Sequence, residues 1–186
     1  MRREFSGLTH SFDAAKNHFQ LFGLPQSFKL DIAQLELAFR ALQAEVHPDK
    51  AAHLADVEQR LAMQRSTLVN EAYQTLKSPI RRGRYLLSLQ GVDTQEETNT
   101  AMPVDFLIVQ MEWREAVADA QQARDVDGLA QLEARMKTGA RELETELAVK
   151  IDVEHDYEIA AQLVRKLRFM EKLAEEINSA YDEIDN

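Results

Sequence analysis

The sequence predicts an all-α protein with an N-terminal helical hairpin and short helices, followed by a C-terminal antiparallel three-helix bundle. Two observations lead to this prediction. Apolar residues recur at spacings of three and four, the repeat of an amphipathic helix, and no strand pattern of period two persists. Glycine and proline, which interrupt helices, number only 6 and 4 among 186 residues.

The first clear helix is predicted over residues 31–46. Asp31 is a suitable N-cap, and Gln34 follows three residues later, as in a capping box. Pro48 ends the helix near His47, because proline lacks the N–H and disfavours a helical residue before it. The apolar stripe of this helix consists of Ile32, Leu35, Phe39, Leu42 and Val46.

A second helix follows a polar connection over residues 47–55. Ser78 and Pro79 interrupt it, with Ser78 as an N-cap and Pro79 as the first residue of a shorter helix. That helix reaches about Leu89 and ends at Gly91. The apolar stripe of the second helix consists of Val57, Leu61, Leu68, Ala72, Tyr73 and Leu76.

The apolar spacing in the second half of the chain predicts three amphipathic helices, at about 104–124, 127–149 and 156–183. Their short connections favour an antiparallel bundle. Residues 92–102 have no apolar repeat and are rich in Thr and Glu, so they are predicted to be a linker. The chain is therefore divided into an N-terminal tail (1–16), a first domain (17–91), this linker and the bundle (103–186).

Composition and charge exclude several functional classes. The chain has no cysteine, which excludes disulfides, thiolate zinc sites and a cysteine nucleophile. It has no apolar run of the roughly 20 residues that a membrane span needs. Residues 96–186 carry 10 basic and 22 acidic side chains, so nucleic acid is a disfavoured partner.

The connection between the first two helices carries His47, Pro48, Asp49 and Lys50. With the stripe helix before it and Asn70-Glu71-Ala72-Tyr73-Gln74-Thr75-Leu76 after it, this arrangement resembles a J-domain, the module that activates chaperones of the 70-kDa heat-shock family. The resemblance implies that His47, Pro48 and Asp49 are the activating motif, at the tip of the hairpin. It adds Lys50 and Arg40 as chaperone-binding residues. A helical wheel places Arg40 outward among Ala33, Leu37, Ala41 and Ala44, whereas J-domains usually present several basic residues there.

A metal site is the alternative interpretation of this segment. His47, Asp49 and His53 could be ligands of a small metal-dependent enzyme, but their spacing matches no ligand pattern, and no glutamate is placed as a base. We therefore expect no metal and no cofactor.

The predicted helix after the linker has two apolar faces. Phe106, Val109 and Trp113 share the side expected to face the core, together with Ala116, Val117 and Ala120. Leu107, Ile108 and Met111 fall on the opposite side, beside Glu112 and Glu115. An exposed apolar cluster with a charged rim is typical of a partner site, and the alternative is that another part of the chain covers it. Phe169 of the last helix lies off the core stripe and is a further candidate.

Four segments together resemble the HscB family, the J-type co-chaperones of iron–sulfur cluster assembly. They are Asn17–Pro25, Tyr85–Gly91, Phe106–Glu115 and Arg165–Phe169. The resemblance implies a co-chaperone without catalytic residues, which stimulates the ATPase of a 70-kDa heat-shock-type chaperone (HscA-like) and delivers the iron–sulfur scaffold protein (IscU-like) to it. It implies Leu107, Ile108, Met111, Glu112, Glu115 and Phe169 as the scaffold-binding residues. The absence of paired cysteines favours a bacterial-type, cytoplasmic protein over one of the mitochondrial matrix.

The sequence leaves three rival interpretations open. The bundle could serve another client, the loop could belong to the metal-dependent enzyme, or the exposed apolar cluster could be the seam of a homodimer. The expectation is a mostly monomeric chain with weak self-association, and with neither nucleic acid nor a membrane as a partner.

Overall fold

The computed structural model describes residues 16–46, 55–94 and 103–185, and the described part is built of helices. The all-α prediction is confirmed. The helices are α1 (His18–Leu21), α2 (Ile32–Val46), α3 (Asp56–Lys77), α4 (Pro79–Leu89), α5 (Val104–Gln122), α6 (Val126–Val149) and α7 (Tyr157–Asp185). A π-helical turn, Lys150–Glu154, lies between α6 and α7. No helix of these described ranges is long and apolar enough to cross a membrane.

The Asp31 N-cap of α2 and the glycine after α4 are those that the sequence predicts, whereas the predicted N-cap role of Ser78 stays a prediction. Asp31 accepts hydrogen bonds from the backbone N–H groups of Ala33 and Gln34, at 2.9 and 3.2 Å. The Gln34 side chain also donates to the Asp31 carboxylate, at 3.0 Å. Helix α4 begins at Pro79, and Gly91 adopts a left-handed conformation with φ of +75° after its end. Glycine adopts this conformation without the steric cost that a Cβ brings.

Packing divides the chain into two compact units. Among the described residues, the first comprises 16–26, 30–46 and 55–78, and the second comprises 27–29, 79–94 and 103–185. Helix α4 therefore packs with the bundle helices, whereas the sequence-based division assigned it to the first domain. The two units are defined by packing alone, so the domain boundaries given in the sequence analysis stay a prediction.

The first unit is built on the pairing of α2 with α3, with α1 against α3. The rings of Phe39 and Tyr73 stack with centroids 4.0 Å apart, and Lys77 donates to the Tyr73 hydroxyl at 3.1 Å. The start of α3 differs from the prediction, because Val57 and Leu61 of its apolar stripe are exposed. A periodic pattern indicates which face of a helix is apolar, but not how far a neighbouring helix extends along it.

The second unit has the predicted three-helix core. Helices α5, α6 and α7 pack pairwise around the buried side chains of Val117, Leu129, Leu132, Met136, Leu173 and Ile177. Residues 27–29 join this unit through Asp152 of the π-helical turn. Its carboxylate accepts hydrogen bonds from the Ser27 hydroxyl (2.8 Å) and from the N–H groups of Phe28 (2.7 Å) and Lys29 (2.9 Å).

A buried arginine lies beside this segment. Arg82 of α4 places its guanidinium 4.9 Å from the centre of the buried Phe28 ring. Burial lowers the pKa of the guanidinium, and the nearby Glu144 and Asp152 charges oppose that shift. Burial also raises the pKa of the Glu144 carboxyl, an effect that Arg82 and Arg141 only partly offset. The folded chain therefore holds the Glu144 proton to higher pH than the unfolded chain does.

The raised pKa of Glu144 predicts a pH dependence of stability. Below the ordinary glutamate pKa of 4.5 the group is neutral in both states, and above its raised folded pKa the folded state bears the desolvation cost of the charge. The contribution of this residue to the free energy of unfolding therefore decreases as pH rises through that interval. Glu144→Gln is expected to remove this decrease in urea unfolding at a series of pH values. Glu142→Gln, at an exposed position on the same helix, is the matched control, and equal profiles for the two variants would contradict the assignment.

Candidate functional site

The proposed activating motif lies outside the described residues. His47, Pro48, Asp49 and Lys50 all fall within residues 47–54, as does His53 of the alternative metal site. The structure describes the helices on either side of this segment, α2 up to Val46 and α3 from Asp56. The assignment of the motif stays a prediction from the sequence.

The outer face of α2 agrees with the helical wheel. Arg40 is exposed, and so are Ala33, Leu37, Ala41 and Ala44 around it. Glu36, at the edge of this face, lies 3.8 Å from the Lys77 ammonium on α3. Arg40 is the one basic residue of α2, on a face of small and apolar side chains that Glu36 and Glu45 flank.

Helix α5 exposes one continuous apolar stripe to solvent. Its four members, referred to below as the α5 stripe, are Val104, Leu107, Ile108 and Met111, with exposed fractions of 72, 39, 52 and 72%. They are spaced by three, four and seven residues, so they lie on one side of the helix. The wheel predicted three of them, and Val104 was missed although the same spacing includes it. Val109, predicted to face the core, is also exposed.

Aromatic side chains support the stripe from beneath. Phe106 packs edge-to-face on Phe169 of α7, with ring centroids 5.6 Å apart and an interplanar angle of 82°. Phe169 lies off the core stripe of the wheel, yet it is only 6% exposed and belongs to the bundle core. Its assignment as a scaffold-binding residue stays a prediction. A buried ring is better suited to hold α5 in place than to contact a partner directly.

Charged side chains surround the α5 stripe and the aromatic pair beneath it. Glu112 and Glu115 are exposed, as expected for rim residues. Arg114 lies 5.3 Å from the centre of the Phe169 ring and 3.2 Å from Glu176. Lys166 of α7 covers the Phe106 ring at 5.3 Å. Arginine and lysine over aromatic faces combine cation–π attraction with coverage of apolar area.

The described residues show no group of three or more His, Cys, Asp or Glu side chains placed to hold a metal ion. The predicted scaffold-binding residues other than Phe169 lie together on the exposed side of α5. The site is therefore an apolar surface with a charged rim, which is the anatomy of a protein-binding surface.

Comparison with known proteins gives matches over most of the chain. Residues 102–178 match the family model described as the HSCB C-terminal oligomerisation domain. The co-chaperone protein HscB homologue of Azoarcus sp. (strain BH72) is 48% identical over 176 residues, which are 95% of this chain and 99% of the relative.

Two solved structures share the fold. Chaperone HscB from Vibrio cholerae aligns with a TM-score of 0.81 and 35% identity, covering 91% of this chain and 99% of that one. The human co-chaperone protein HscB aligns with a TM-score of 0.84 and 32% identity, covering 90% of this chain and 83% of the other. The Azoarcus and human relatives are named as co-chaperones and the Vibrio cholerae relative as a chaperone, and none of these names is that of an enzyme.

Proposed function

The chain belongs to the HscB family of co-chaperones, and from this premise we propose that it stimulates the ATPase of a 70-kDa heat-shock-type chaperone (HscA-like) and delivers an iron–sulfur scaffold protein (IscU-like) to it. Membership gives the chain a J-protein co-chaperone role in iron–sulfur cluster assembly. We further propose that separate sets of residues bind the scaffold and the chaperone, and that the protein is located in the bacterial cytoplasm.

The observation that carries the proposal is the exposed α5 stripe. Four large apolar side chains stand on the solvent side of a helix whose opposite side is already packed in the bundle core. Folding alone gives no reason for this exposure, whereas binding a partner would bury the apolar area, at a gain of about 25 cal/mol per Å². The exposed Glu112 and Glu115 would then select the partner and raise the association rate.

The segment from His47 to Lys50 is proposed to contact the chaperone. Asp49 follows proline, whose ring fixes φ, so its carboxylate is suited to a charge-assisted hydrogen bond with a basic group of the chaperone. His47, Pro48 and Lys50 complete this contact, and Arg40 adds a positive charge on α2. This chain is proposed to catalyse no reaction itself, because the ATP is hydrolysed by the partner chaperone.

Carrying both sites on one chain raises the local concentration of the scaffold at the chaperone. A capture experiment tests this directly. Immobilised chaperone in its ATP-bound state is mixed with scaffold, with and without this protein, and the retained scaffold is measured. We expect several-fold more scaffold to be retained when this protein is present. Retention that does not depend on this protein would contradict the delivery role, and retention of this protein without scaffold would indicate a different client.

A further inference from the structure

Methionine supplies all the sulfur of this chain, which has 6 methionines and no cysteine. A thioether in a folded protein is oxidised readily where an oxidant in solution can reach it. Met136 and Met170 belong to the bundle core, with exposed fractions of 5 and 8%, whereas Met63 of α3 and Met111 of α5 are 62 and 72% exposed. Among the described methionines of the second unit, Met111 is therefore the accessible one.

Met111 is also the member of the α5 stripe whose polarity oxidation can change. The other three, Val104, Leu107 and Ile108, have hydrocarbon side chains, which hydrogen peroxide does not attack. Oxidation turns the Met111 thioether into a sulfoxide, so that a polar hydrogen-bond acceptor replaces a flexible apolar group. A single added oxygen atom thus makes the C-terminal end of the stripe polar.

The neighbours of Met111 on α5 are poorly suited to hydrogen-bond a sulfoxide oxygen. A helical side chain lies next to those three and four residues away, which here are Leu107, Ile108, Arg114 and Glu115. The two apolar side chains and the carboxylate have no hydrogen to donate. The Arg114 guanidinium is engaged on α7, 3.2 Å from Glu176 and 5.3 Å from the centre of the Phe169 ring. The sulfoxide oxygen would therefore be hydrated in the free protein, and a partner that covers the stripe would have to remove that water.

We propose that Met111 is a reversible oxidation site, at which hydrogen peroxide converts the thioether into a sulfoxide and thereby weakens binding of the scaffold. The sulfur lone pair attacks one peroxide oxygen, the O–O bond breaks, and the second oxygen leaves as water with both protons. Sulfur is oxidised by two electrons, and the peroxide is reduced. A methionine sulfoxide reductase reverses the step with two thiols, which become a disulfide while the oxygen leaves as water.

The oxidation of Met111 depends on its exposure alone, whereas the effect on binding rests on the proposed function. When the scaffold covers the stripe, a sulfoxide at its end loses its water without gaining a partner. We expect an affinity lower by about ten-fold or more. Because Met111 is exposed in the folded chain, the fold and the stimulation of the chaperone without scaffold should not change.

Peptide mapping by mass spectrometry tests the site itself. The full chain is treated with hydrogen peroxide for increasing times, quenched and digested, and the sulfoxide fraction at each methionine is measured. Met111 should oxidise several-fold faster than Met136 and Met170, at a rate similar to that of Met63, and urea unfolding should remove the difference. A rate at Met111 no greater than that of the two buried methionines would overturn the oxidation site.

Calorimetry with the IscU-like scaffold protein tests the effect on binding, after the peroxide has been removed. Each protein is compared with its own untreated sample. Oxidation should weaken binding by the unmodified chain about ten-fold, and methionine sulfoxide reductase should restore it. Met63→Leu, which removes an exposed thioether outside the stripe, should lose affinity in the same way. Met111→Leu, whose side chain peroxide cannot oxidise, should have the same affinity before and after treatment.

The outcomes distinguish this proposal from the proposed function. A loss of affinity that persists in Met111→Leu would assign the effect to another methionine and overturn the proposal. Undiminished binding by a chain that is fully oxidised at Met111 would overturn it as well. Absence of scaffold binding by the untreated protein would overturn the effect on binding together with the proposed function, whereas the mapping would still decide the oxidation site.

Discussion

Replacement of Asp49 by alanine is expected to abolish the stimulation of the partner chaperone's ATPase. A hydrogen bond to a charged group contributes about 1.5–3 kcal/mol, and its loss weakens docking by roughly one to two orders of magnitude. Because Asp49 is not part of the α5 stripe, the affinity for the scaffold should stay unchanged. The measurement is single-turnover ATP hydrolysis by the chaperone, with scaffold affinity determined on the same preparation.

Asp56→Ala is the matched control for this variant. Asp56 lies in the first turn of α3, near the motif in sequence, and its replacement removes the same charge. The control should keep most of the stimulation. If both variants stimulate equally well, the segment from His47 to Lys50 is only a connection between two helices.

Met111→Glu is expected to lower the affinity for the scaffold by at least about 30-fold. Burying a methionine side chain is worth about 1.5–3 kcal/mol, and an unpaired carboxylate in its place adds a desolvation cost. Met111 is 72% exposed, so folding should be unaffected. Stimulation of the chaperone without scaffold should also be preserved. Isothermal titration calorimetry gives the affinity, and a urea unfolding curve verifies that the variant is folded.

Val153→Glu provides the same change of charge at an equally exposed apolar position of the second unit. It should bind the scaffold like the unmodified protein. Equal loss of affinity in the two variants would mean that added negative charge, and not the α5 stripe, is responsible. Wild-type affinity of Met111→Glu would place the client site elsewhere.

The helices from α2 onwards could be predicted from the sequence, because most of them have a periodic apolar stripe and a recognisable end. The single turn of α1 is too short for such a stripe and was not predicted. Asp31 and Gln34 define the start of α2, and Pro79 defines the start of α4, through bonds that are local in sequence. Three of the four members of the α5 stripe could be predicted for the same reason, since an apolar cluster opposite the core face can be read from a wheel.

The remaining features depend on contacts between residues far apart in the chain. Asp152 binds Ser27, Phe28 and Lys29, and no local pattern indicates a partner more than 120 residues away. The π-helical turn that presents Asp152 has no periodic signal either. The burial of Phe169 could not be predicted, because a wheel ranks positions on one helix, while Phe106 and Arg114 that cover this ring lie on a neighbouring helix.

The measurement that tests the central claim most directly is the ATPase rate of the chaperone with this protein, the scaffold, or both together. We expect stimulation by this protein alone, no stimulation by the scaffold alone, and a greater than additive rate with both. The Asp49→Ala variant should lose the stimulation entirely, and Met111→Glu should keep the basal part and lose the synergy. A rate with both proteins that equals the sum of the separate effects would contradict the delivery of the scaffold by this chain.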